Sequence, residues 1–250
     1  MPTTQSINDV IAALDNIILD AKKNKDSSGY FAALYRKVTI SVKEGIASNK
    51  FENGMRMEKL DIVFASRYLD AWQAWKNKEP VSASWMKAFN ISTHYWPIVL
   101  QHLLMGMNAH INLDLGIAAA AVTKNEDINS LHHDFNTINT VLSLLVNDVQ
   151  QDLARTWPRL KWILQKTRGV NDFLTDFSMQ LARDGAWEFA TTLSGRSDTE
   201  IQNLIAERDK KVAEKSKIIT QPGLIVRLIF GIIRIGEQGS IVEKIENLTK

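Results

Sequence analysis

The chain has 250 residues, 45% hydrophobic and 23% charged, and its 30 basic and 28 acidic side chains leave a net charge of +2. Those proportions belong to a chain that folds around its own core, and the even charge balance provides no basic stripe for a phosphate backbone, so nucleic acid is not an expected partner. With no cysteine there is no disulfide, thiolate nucleophile or Cys-held metal, which fits a cytoplasmic protein, as does an N-terminal segment without the basic and small-residue regions of a signal peptide.

Ile7, Val10, Ile11, Leu14, Ile17, Ile18 and Ala21 recur at three- and four-residue steps behind Ser6, and predict a first helix with Ser6 as its N-cap. The DSSG run at Asp26 to Gly29 breaks the pattern, which Phe31, Leu34, Tyr35, Val38, Val42 and Ile46 resume as a second helix. A third follows Gly54 and runs to about Trp75, and Pro80 closes that region. Pro97 suits the first turn of a helix reaching about Val122. No Asp, Glu, Lys or Arg occurs from Ala88 to Leu113, and a helix without a charged face is a buried one. Its histidines, asparagines and glutamine argue against a membrane span, since each is costly in hydrocarbon.

Leu131, Phe135, Ile138, Leu142, Leu145 and Val149 form the next apolar stripe, with Asp127 or Asn129 as cap, and Pro158 and Gly169 punctuate two more helices. Ser197 and Glu200 form a capping box opening a charged, peripheral helix, and Pro222-Gly223 precedes a last apolar run, 224–235. That run reads as a docked helix, because its apolar residues surround the axis. No alternating strand pattern or hairpin turn appears. The expected fold is therefore all-α: a single-domain multi-helix bundle over 1–250 around a buried central helix at about 97–122, with 222–250 a C-terminal helical extension docked on it.

The polar residues of the central helix sort into two lines at about 100° per residue. Gln101, Met105, Asn108 and Asn112 share one; His102, Gly106, His110 and Asp114 step along the other. Asp61 lies within the arc of Met57, Phe64, Tyr68 and Trp72, so it points inward and needs a partner: a histidine, Tyr68, Arg67, Arg183 or a metal. The next helix adds His133 and Asn139. Asp61, His110, Asp114 and His133 are the catalytic and metal-ligand candidates, for Zn, Fe or Mn, because bundles hold such ions with carboxylates and imidazoles on facing helices. Tyr68, Gln101, His102, Asn108, Asn112 and Asn139 are the ligand-binding candidates, with Trp72, Met105 and Met107 as apolar wall.

The competing reading makes the whole seam architectural, a hydrogen-bonded network that joins helices and fixes register. Neither Glu-x-x-His nor His-Glu-x-x-His occurs, and there is no nucleophile elbow, dinucleotide fingerprint or Walker loop, so no nucleotide cofactor is expected by those routes. Asp172 with Asp176, and the run ERDKKVAEK, read as solvated helix faces, and the seven tryptophans and seven methionines as core filling.

Three segments, MEKLDIVFASRYLDAW around Asp61, QHLLMGMNAHINLDLGIAAA from Gln101 and HDFNTIN from His133, resemble an uncharacterised bacterial family of all-helical proteins catalogued as a domain of unknown function. The likeness would cover most of residues 1 to about 235. It implies the helical fold and carries over no reaction, cofactor or functional residue. The functional expectation is a soluble helical protein whose polar pocket binds or acts on a small molecule, with a divalent metal as candidate cofactor. The alternative is a non-catalytic ligand-binding, partner-binding or structural protein.

Overall fold

In the computed structural model, which describes residues 4–138 and 179–250, Ser6 opens α1 (Ile7–Asn24) by a reciprocal cap. Its hydroxyl accepts the Asp9 amide while the Asp9 carboxylate accepts the Ser6 amide. The inward residues Val10, Leu14 and Ile17 are fully buried, and such side chains each stabilise a fold by roughly 1.5–3 kcal/mol. Next come α2 (Gly29–Ala47) and α3 (Gly54–Lys76). Asn53 caps α3 by accepting the Arg56 amide at 3.0 Å. The fully buried Asp134 accepts the Glu52 amide at 2.7 Å and the Asn53 amide at 3.1 Å, tying the start of α3 to a later helix.

α4 (Ala83–Asn90) is a helix that the spacing of apolar residues does not predict; Ser82 caps it, accepting the Trp85 amide at 3.3 Å. The long charge-free segment forms α5 (Val99–Ala109), a π-helical turn (His110–Leu115) and α6 (Gly116–Val122). Its start differs from the expectation that Pro97 occupies the first turn. The helix begins two residues later, where the Gln101 side chain accepts the Ile98 amide at 3.2 Å and the Glu237 carboxylate accepts the Val99 amide at 2.9 Å. The course 99–122 packs against α2, α3 and α4 and against three later helices, α8 (Met179–Leu193), α9 (Asp198–Lys215) and α10 (Lys217–Thr220).

Between α6 and α8 a short 3-10 turn (Ile128–Leu131) leads into α7, helical over 132–138. The chain ends in α11 (Leu224–Gly236) and α12 (Ile241–Thr249), the latter opened by a Ser240–Glu243 capping box. The Ser-x-x-Glu spacing that marks α9 also marks α12, which the apolar pattern alone leaves unread. The fold is all-α, and no strand occurs among the described residues. The expected stripe beyond Ile138, the breaks at Pro158 and Gly169, Asn139 and the Asp172–Asp176 pair lie outside them.

Two apolar clusters make the core. One joins α1, α2, α4, α5 and the second half of α3 to Ile219, Val226, Phe230, Ile233, Ile245 and Leu248. The other gathers Phe51, Met57, Leu60, Leu115, Val122, Leu131 and Phe135 with the alanines of α6 and α8. The π turn sits at the join, preceded by Ala109 of the first cluster and ending on Leu115 of the second. π turns of this kind are frequent at functional sites.

Candidate functional site

The two polar lines of the 99–122 course face opposite neighbours and differ in how fully they are bonded. Gln101 Nε2 donates to the Ile219 carbonyl at 2.8 Å and Asn108 Nδ2 to the Val212 carbonyl at 3.0 Å. Asn112 Nδ2 donates to Asn108 Oδ1 at 3.1 Å, and Arg208 Nε donates to the Asn112 carbonyl at 2.9 Å. These bonds fasten the 99–122 course to the end of α9 and to α10. They satisfy groups that would be costly to bury bare.

The second line centres on Asp114, which is fully buried. Its Oδ1 accepts Arg67 Nε at 3.1 Å; its Oδ2 accepts Trp85 Nε1 at 2.8 Å and lies 3.1 Å from His110 Nδ1. Arg67 reaches in from a 38% exposed position, and α4 supplies the indole. A carboxylate bonded to a guanidinium and an indole N–H is an acceptor on both oxygens, so His110 Nδ1 donates to it and Nε2 carries the lone pair. Burial holds the His110 imidazole below its ordinary pKa, against the raising effect of the Asp114 hydrogen bond. The ring is therefore neutral. It stacks on Phe64 with centroids 3.6 Å apart and planes 6° apart, and meets the edge of Tyr35 at 4.6 Å.

Around this ring the hydrogen-bonding account does not close. His110 Nε2, and the Oη atoms of Tyr35 and Tyr68, whose rings meet the imidazole, are buried without a hydrogen-bond partner; Asp61 Oδ2 on α3 and Ser28 Oγ ahead of α2 are buried and unpartnered as well. α3 presents Asp61, Phe64 and Tyr68 along one face, and α2 presents Phe31 and Tyr35 one turn apart. Burial, with Glu58 nearby, pushes the Asp61 carboxyl up to about 7. Burial, then Asp61 and Asp114, push the Tyr35 phenol well above its usual value, so it stays a neutral donor. A cavity of about 10 Å³, room for about one water molecule, is lined by Ser28, Phe31, Tyr68, Trp85, His102 and Gly106 among others; it shares Phe31, Tyr68 and Trp85 with the rings around His110, but His110, Asp114, Tyr35 and Asp61 do not line it. The neutral base, the two phenols and the Asp61 carboxyl are thus buried with hydrogen-bonding capacity left unused.

Asp61, Tyr68, Gln101, His102, Asn108, His110, Asn112 and Asp114 are all buried, but His133 is not among them, contrary to expectation. Leu131 at the end of the 3-10 turn and Asp134 and Phe135 of α7 point inward, which leaves His133 exposed with Nε2 4.0 Å from Glu52 Oε1. Among the described residues no three His, Cys, Asp or Glu side chains gather closely enough to hold a metal ion. Nor does Asp61 receive an expected arginine: Arg67 serves Asp114, and Arg183 donates to the Phe135 carbonyl at 2.6 Å. His102 meets the edge of Tyr30 at 5.5 Å, and burial with the cations of Arg234 and Lys244 lowers its pKa to about 3.

Sequence reasoning missed Trp85, Tyr35 and Phe64 as members of the site. The apolar stripe absorbed Tyr35 and Phe64, and only Ser82 three residues ahead of Trp85 signals α4. No curated protein and no solved structure matches the chain. The segments around Asp61, Gln101 and His133 that carry the resemblance all fall within residues 7–222, matched by one family model, and the chain belongs to that family, DUF5995, a family of unknown function.

Proposed function

We propose that the protein binds a small polar molecule between α2, α3, α4 and the π turn, with His110 as the base acting on it. The observation that carries the reading is His110 Nε2. Asp114 holds the ring in the tautomer that leaves Nε2 basic, and that atom has no partner although it is buried. A carboxylate that fixes an imidazole in this way is a recurring acid–base arrangement. Tyr35 and Tyr68 would donate to the ligand's acceptor atoms, and Asp61, whose pKa is about 7, would exchange a proton with it near neutrality. The absence of cysteine makes the reducing cytoplasm our proposed compartment. The alternative, a purely architectural seam, draws its support from the fully bonded Gln101–Asn108–Asn112 line.

Unfolding free energies of Tyr35→Phe and Tyr68→Phe test whether the two hydroxyls are unbonded in the free protein, and ligand-dependent melting then separates the two readings. An unpartnered hydroxyl kept for a ligand is dispensable, so each change should cost less than about 0.5 kcal/mol or stabilise, against about 1–3 kcal/mol for a bonded buried hydroxyl. Melting curves with very small polar probes such as formamide, hydroxylamine and methanol should show at least one that raises Tm in wild type and not in His110→Phe, since a ligand of the native state stabilises it. Full-cost hydroxyl deletions together with no responsive probe would sink the binding reading.

A further inference from the structure

α11 has two apolar faces. Val226, Phe230 and Ile233 are buried in the core. On another side Leu224, Ile225, Leu228, Ile232 and Ile235 are 79%, 71%, 71%, 58% and 81% exposed. At 100° per residue these five fall within an arc of about 100°. The ends of the helix thus present one continuous aliphatic strip, held outward by the anchoring of the inner face. Beside it Arg234 donates from Nε to the Tyr95 carbonyl at 2.6 Å and lies over the Tyr95 ring at 4.4 Å. Tyr95 and Trp96, 71% and 65% exposed, meet edge to face at 5.6 Å. Contiguous exposed apolar surface of this kind marks an interaction site.

The charge beside the strip selects its occupant. From Leu224 to Gly236 there is no Asp or Glu, Arg227 is exposed, and Arg234 is paired with Glu237 at 3.1 Å. A second copy of the chain would repeat the same patch across a two-fold axis and bring like charges together. An anionic lipid surface answers both features, because its acyl boundary takes the aliphatic strip and its headgroups take the Arg227 cation. Tyr and Trp favour that same boundary. The helix has 13 residues, about 20 Å at 1.5 Å per residue, too short for a hydrocarbon core of about 30 Å. By itself, therefore, the helix could lie on a bilayer but is too short to cross one.

The geometry points to α11, with Tyr95 and Trp96, as a docking face for anionic membrane surfaces. The test is co-flotation of the full chain with vesicles of phosphatidylcholine mixed with phosphatidylserine, compared with phosphatidylcholine alone. Wild type should float with the mixed vesicles, and raised salt should weaken the association. Leu228→Glu should reduce it at least tenfold while leaving the melting temperature unchanged, because the side chain faces water; Ile235→Glu serves if that variant fails to fold. Arg227→Gln should weaken binding to the mixed vesicles by about fivefold, the effect of one basic residue near such a surface. Wild type that ignores both vesicle types, or floats as well after either Glu substitution, overturns the proposal. So does a dimer that Leu228→Glu dissolves in a protein that does not float, since the strip then belongs to a second copy.

Discussion

Asp61 and the two buried histidines of the second line titrate in opposite senses, and the sign of each follows from burial. The Asp61 pKa is raised from 3.8 to about 7, so over that interval the folded chain holds a proton that the unfolded chain has released. Its contribution is therefore complete below pH 4 and is lost as pH rises toward 7. His102, lowered from 6.5 to about 3, and His110, lowered as well, are neutral when folded and protonate when unfolded. Their stability is complete above pH 6.5 and is lost on acidification. We expect Asp61→Asn to gain stability relative to wild type by roughly 2 kcal/mol as pH rises from 5 to 8, with the pH-dependent difference vanishing only below about pH 4. Urea unfolding at several pH values measures it. A wild-type minus variant difference that is flat with pH would mean that Asp61 has the same proton affinity folded and unfolded.

At the scale of elements, the site depends on how closely α2 approaches α5, and Gly106 sets that distance. A Cβ added there would lie 2.4 Å from two atoms of the Phe31 ring. Phe31 is 8% exposed, so the ring has little room to retreat. Gly106→Ala should destabilise the fold by about 1–3 kcal/mol through overpacking. It should also shift Phe31 away from the His110 edge, which it meets at 5.9 Å, and alter the near-ultraviolet circular dichroism. An Ala variant as stable as wild type with an unchanged aromatic spectrum would show that the two helices separate freely. The neighbouring π turn adds a second local requirement, because it brings His110 and Asp114 to 3.1 Å within one turn while Trp85 and Arg67 reach the same carboxylate from α4 and α3.

At the scale of the whole molecule, the family match ends at residue 222, but the core does not. Val226, Phe230, Ile233, Ile245 and Leu248 belong to the larger cluster. Glu237 accepts the Val99 amide at 2.9 Å, and its Oε2 lies 2.9 Å from Lys244 Nζ and 3.1 Å from Arg234 Nη1. Removing residues 223–250 would expose those apolar faces, each worth roughly 1.5–3 kcal/mol, against a total stability of about 5–15 kcal/mol for a typical domain. The shortened chain should show no cooperative thermal transition by circular dichroism. A transition within a few degrees of the full chain would mark the C-terminal segment as an accessory.

Most of the helices could be read from spacing, because an amphipathic helix writes its buried face into its own residues at three- and four-residue steps, as α1, α2 and α3 do. The inward direction of Asp61 and the two polar lines of 99–122 followed from the same periodicity. It does not contain which neighbour each line meets. Two lines of similar residues became a bonded seam against α9 and α10 and, against α2, α3 and α4, a buried cluster with unpartnered polar atoms, since that depends on carbonyls and rings brought from distant parts of the chain. His133 misled for the same reason: a helical stripe fixes which residues share a face, while the packing of Phe135, and of Leu131 just ahead of α7, decides which face turns inward. α11 shows the limit most directly. Apolar residues on two sides of one helix read as burial all round, and only the tertiary structure, by supplying a partner for the Phe230 side and none for the Leu228 side among the described residues, left the second face to water.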